Sequence, residues 1–99
     1  MSEPELEDFL ILRDLDEPLS GETFEAAAEG SVDAVQDLKD EGVGIRWVKS
    51  DVRTQQDGAV VGTVCHFQAE DEDTLYKHAD RAGLPVTRID RHGKTLANE

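Results

Sequence analysis

Little in this chain ties it to a membrane, a disulfide framework or a nucleic acid. It has a single cysteine in 99 residues, Cys65, so no internal disulfide is possible. The longest unbroken apolar run is Phe9 to Leu12, far short of a bilayer span. The opening residues, Met1-Ser2-Glu3-Pro4-Glu5, show neither the positive start nor the apolar stretch of a secretory signal. Bases are scarce, 10 against 23 acids, for a net charge of -13. Attraction to DNA, RNA or anionic membrane surfaces comes mainly from Lys and Arg, so the composition argues for no nucleic acid and no membrane as partners. Together these absences point to a cytoplasmic protein.

The acid is spread along the chain, through Glu3, Glu5, Glu7, Asp8, Asp14, Asp16, Glu17 and Glu70 to Asp73. At low salt so many like charges repel one another and weaken the compact state. At molar salt the screening length falls to about 3 Å and most of that penalty disappears. The acidic composition therefore suits a halophilic cytoplasm.

Ninety-nine residues make one domain. We expect a flexible acidic N-terminus over 1-7, a folded domain over 8-92 and a flexible C-terminus over 93-99. Phe9 to Leu15 reads as a strand apolar on both faces, broken by Asp16-Glu17-Pro18. Ser20 is a good N-cap for a first helix, with Leu19 and Phe24 placed as a hydrophobic staple. Phe24, Ala28, Ser31, Val35 and Leu38 form its apolar stripe, and Gly42 sits where a left-handed terminator belongs. Ile45 to Arg53 is a second strand with charges on both faces, as suits a sheet edge. The Asp57-Gly58 turn leads to a third strand over 59–69, with Val61, Thr63, Cys65 and Phe67 on one face and Val60, Val64 and His66 on the other. A second helix begins after Asp71 and ends at Gly83, and Val86 to Arg91 is a short fourth strand.

Strand, helix, strand, strand, helix, strand is the α+β, ferredoxin-like βαββαβ pattern. It implies a four-stranded antiparallel sheet of order 4-1-3-2 with both helices on one face. The other face would expose Val60 and Val64 with Leu10 and Leu12, or with Phe9 and Ile11. A continuous apolar patch of that kind calls for cover, and a symmetric homodimer through the open sheet face is the economical solution.

Five segments, Phe9 to Leu15 (FLILRDL), Leu19-Ser20, Trp47 to Ser50 (WVKS), Cys65 to Ala69 (CHFQA) and His78 to Pro85 (HADRAGLP), occur in this order. In that order they resemble a family of small ferredoxin-like proteins catalogued as a domain of unknown function, of which one member is described as nickel-binding. The likeness spans residues 9 to about 91. It departs from the family's pattern at Asp51, Val64, Gln68 and Arg91. The resemblance implies the same fold and nickel, or another transition metal, as the ligand.

Among side chains able to carry chemistry, Cys65 offers a soft thiolate, and His78 lies on the inward stripe of the second helix, where it could approach the third strand. His66 alternates with Cys65 and faces the open side, where a copy from each subunit could meet. We therefore take Cys65, His66 and His78 as the candidate metal ligands of a non-enzymatic protein. Two other classes fit the same pattern. One is a small dimeric α+β barrel-type enzyme or ligand-binding protein, with a closed apolar pocket and a polar group aimed inside. The other is a plain protein-interaction module. The acid excess itself yields a prediction: unfolding midpoints measured from dilute buffer to molar KCl should rise with salt, and equal midpoints would contradict the halophilic reading.

Overall fold

The computed structural model describes residues 5–97. The flexibility expected of residues 1–4, 98 and 99 lies outside the described residues. Six elements follow in the expected order: β1 (Glu7–Leu19), α1 (Gly21–Asp40), β2 (Ile45–Thr54), β3 (Val60–Ala69), α2 (Glu72–Ala82) and β4 (Arg88–Arg91). The strands form one antiparallel sheet in the order β2-β3-β1-β4, which is the ferredoxin-like arrangement.

Both helices begin and end as their sequences dictate. The Ser20 hydroxyl accepts the Thr23 N–H at 3.2 Å, and the Asp71 carboxylate accepts that of Thr74 at 2.8 Å. At the end of α1, the Gly42 N–H reaches the Lys39 carbonyl and the Val43 N–H reaches that of Leu38, a Schellman closure with Gly42 at φ 85°. Gly83 closes α2 in the same way at φ 68°.

Register decides which side chains meet. Phe9, Ile11 and Arg13 of β1 stand opposite Phe67, Cys65 and Thr63 of β3, and all six are buried beneath the helices. Leu38 of α1 and Leu75 of α2 complete the core from above. Each such apolar side chain stabilises the fold by roughly 1.5–3 kcal/mol relative to exposure. Leu10 and Leu12 pair with His66 and Val64 on the open face and are only half-buried.

Three features differ from the sequence reading. β1 is not broken at Asp16-Glu17-Pro18 but stays extended to Leu19, because its pairing with β3 is irregular between Asp14 and Leu19 and needs no amide donor from Pro18. β4 starts at Arg88, not Val86, with Thr87 tied to the β1 edge through the Leu12 carbonyl and the Asp14 N–H.

The third difference is the largest. Trp47 pairs with Phe67 but Lys49 pairs with His66, so Val48 is an extra residue, a β-bulge. The bulge shifts the alternation of β2 by one. Trp47, Ser50 and Val52 all face the helices, and Arg46, Lys49, Asp51 and Arg53 all face the open side. The expectation of charge on both faces of β2 is thereby corrected. A second irregularity, at Val61 of β3, takes Val60 out of the open patch; it is 4% exposed.

Two positions test this packing. Arg53 lies across Gly62, its Nη2 donating to the Arg13 carbonyl at 3.1 Å and to Asp14 at 2.5 Å. A Cβ at Gly62 would collide with both the guanidinium and that carbonyl. Gly62→Ala should therefore cost about 1–3 kcal/mol in denaturant unfolding. His78 is fully buried, and its Nε2 lies 3.0 Å from the Ser31 carbonyl, an acceptor, so Nε2 carries the proton of the neutral ring. Burial holds its pKa below the ordinary value of 6.5, with the Ser31 carbonyl acting the other way. The unfolded chain thus takes up the proton first as pH falls. This contribution is complete above about pH 6.5 and lost progressively below it. Thermal midpoints should decline from pH 7 to pH 5, and His78→Gln should flatten that slope.

Candidate functional site

Small side chains on two facing layers leave a gap. α1 turns Ala27, Ala28 and Ser31 toward the sheet, where Ser50, Thr63 and Cys65 are equally short. The result is a cavity of about 530 Å³, within the range of small-molecule sites. Most of the remaining wall is apolar, from Leu15, Leu19, Phe24, Val35, Leu84 and Pro85, with the exposed Gln36 and Lys39 also lining it. Val32, Trp47 and Val52, each about half exposed, also line it.

Arg13 lies in the wall of this cavity and is 3% exposed. Its Nη1 donates to the Pro85 carbonyl at 2.8 Å. Its Nε and Nη2 are buried and have no hydrogen-bond partner among the described residues. Burial holds the guanidinium pKa below its ordinary value, with the neighbouring Cys65 thiol acting in the opposite direction. The thiol itself donates to the Thr63 hydroxyl at 3.4 Å. Sequence reasoning passed over Arg13. The available signal was its place as third member of the inward series Phe9, Ile11, Arg13.

The open face carries a second cluster. Asp8 Oδ1 accepts from His66 Nε2 at 2.8 Å and from Gln68 Nε2 at 3.1 Å. These hydrogen bonds hold the Asp8 carboxyl below its ordinary range, His66 contributing most. The Asp8 backbone carbonyl accepts the His92 N–H, and the His92 ring stacks on His66 with centroids 4.4 Å apart.

The three candidate metal ligands fall on both sides of the sheet. Cys65 and His78 are on the helix side and His66 is on the open side. Cys65 and His78 share the helix side but have separate partners: His78 is turned to Ser31 and packs on the Phe67 ring, while Cys65 bonds to Thr63. Among the described residues, no three His, Cys, Asp or Glu side chains are grouped to hold a metal ion. The described residues of a single chain thus present no ready-made three-donor site for nickel. Among the same residues, no helix is long and apolar enough to cross a membrane.

Comparison with known proteins places the chain. No curated protein matches it by sequence. The crystal structure of SCO4226 from Streptomyces coelicolor A3(2) superposes with a TM-score of 0.68 at 10% identity, covering 90% of this chain and 99% of that one. That likeness speaks to the fold alone. A larger Burkholderia cenocepacia chain, an amidohydrolase/peptidase candidate, is similar at 15% identity, with a TM-score of 0.43 over 89% of this chain and 27% of that one, and carries no weight here. The family model described as nickel responsive protein SCO4226-like matches residues 9–91, the span of the sequence resemblance and of nearly all six elements. The chain therefore belongs to the SCO4226-like nickel responsive protein family.

Proposed function

We propose that this chain is a non-enzymatic, nickel-responsive protein that works as a homodimer joined through the open sheet face. One observation carries the proposal. On that face Arg46, Lys49, Arg53 and Arg88 balance Asp8, Asp14, Asp51 and Asp90, around an apolar centre of Leu10, Leu12 and Val64. A chain of net charge -13 repels its own copy almost everywhere, but a face of balanced charge can meet its twin without that penalty.

The same face bears Asp8, His66 and His92. The described residues of one chain group fewer than three such donors, but pairing two copies doubles the imidazoles and carboxylates at one junction. Imidazole is a suitable ligand for nickel. Of the three ligands expected from the sequence, His66 is the one this reading retains. Binding is favoured over catalysis because the buried imidazole, His78, is engaged with Ser31 and takes no part in lining the cavity.

The test uses protein purified without a histidine tag, in molar KCl. Light scattering should give twice the chain mass, and Leu12→Asp should give the single-chain mass with an unchanged circular dichroism spectrum. Calorimetric titration with nickel chloride should reach an endpoint that His66→Ala abolishes and Cys65→Ser leaves in place. A single-chain mass at every concentration would overturn the assembly. A nickel endpoint indifferent to His66→Ala would overturn the assignment of the donors.

A further inference from the structure

On the side of the sheet away from the balanced charges, we infer that the cavity between α1 and the sheet is a binding site for an amphipathic monocarboxylate, its carboxylate paired with Arg13 and its apolar chain lying against Val35, Phe24 and Trp47. The inference stands on a different face and on different residues from the proposed dimer, so either can fail alone.

Three observations converge on this ligand class. The first is the guanidinium. Arg13 is 3% exposed, and Nη1 is occupied by the Pro85 carbonyl. The two nitrogens without partners, Nε and Nη2, share the side edge of the planar group. That edge offers two parallel N–H donors, the geometry that receives the two oxygens of a carboxylate. A buried cation with two donors unpaired by the described residues is costly, and a bound carboxylate would relieve that cost. A monoanion fits the single buried guanidinium; Lys39, the other cation of the lining, is exposed to solvent.

The second observation is the rest of the cavity. About 530 Å³ of space is walled mainly by hydrocarbon, with Lys39 and Gln36 at its exposed side, which suits an apolar chain. The third is the exposed apolar surface. Val32, Trp47 and Val52 are three of the six large hydrophobic residues left exposed among the described residues, and all three line this cavity. Such a concentration marks a binding surface. Net charge strengthens the reading: a chain at -13 disfavours anions in general, so preference for an acid over a neutral analogue has to come from a local cation.

The experiment compares octanoate with 1-octanol, equal in chain length, titrated into the full chain in molar KCl at neutral pH. Fluorescence of Trp47, the single tryptophan, reports occupancy. Octanoate should bind about ten- to a hundredfold tighter than 1-octanol, the effect of one charge-assisted pair. Arg13→Met should bring the two affinities together while leaving 1-octanol binding intact. Ala28→Leu, which fills the cavity and keeps Arg13, should abolish binding of both with an unchanged circular dichroism spectrum. Equal affinity for acid and alcohol in the native chain would overturn the inference, as would octanoate failing to bind up to its solubility. The native-chain comparison decides the matter even where Arg13→Met does not fold.

Discussion

The register between β1 and β3 is the constraint on which the rest of this molecule depends. It sets Phe9 beside Phe67, Ile11 beside Cys65 and Arg13 beside Thr63 on one face, and Leu10 beside His66 and Leu12 beside Val64 on the other. A slip by one residue would exchange the two faces. The helices would then rest on Leu10, His66 and Asp8, and the two phenylalanines would stand in solvent. Core, cavity and open face are all consequences of that one pairing, and the bulge at Val48 extends its sorting to the edge strand. Without the bulge, Lys49, Asp51 and Arg53 would share the helix side with Trp47.

Cations are scarce enough in this chain for their placement to be informative. Arg53 bridges Asp14, Arg81 pairs with Glu41, Arg91 with Glu7 and Arg88 with Asp90, all at exposed or half-exposed sites where an ion pair contributes little to stability. Arg13 alone is taken inside, and among the described residues it has no carboxylate partner. Placing the one buried guanidinium of an acidic protein out of reach of every acid among the described residues is a poor arrangement for stability and a good one for recognising a ligand. The chain's other use of charge is the balanced open face, where opposing signs alternate around three apolar residues.

Membership of a nickel-responsive family and the absence of a three-donor cluster in the described residues of a single chain are compatible if the response belongs to an assembly. The sheet then has a distinct task on each side: an apolar cavity with one buried cation beneath the helices, and polar donors with balanced charge on the reverse. β1 and β3 cross both, since Arg13 and Cys65 alternate along these strands with Leu12 and His66.

Much of the fold was legible in the residues themselves. Ser20, Gly42, Asp71 and Gly83 fix the helix ends because capping is local chemistry, settled within four residues of chain. The unbroken apolar run of Phe9 to Leu12 and the apolar groups on both faces of residues 60–67 identified the central strands, and the order of elements gave the sheet. Two things were hidden. The bulges at Val48 and Val61 leave no mark in a simple alternation, since they exist only through what the neighbouring strand offers opposite them. The void around Arg13 arises from short side chains contributed by α1, β2 and β3, distant in sequence and opposed only once the layers pack. Local preference therefore determined where each helix and strand lies, while pairing across strands and the fit of helix on sheet decided which side chains share a site: Cys65 with Arg13 and Thr63, and His66 with Asp8 and His92.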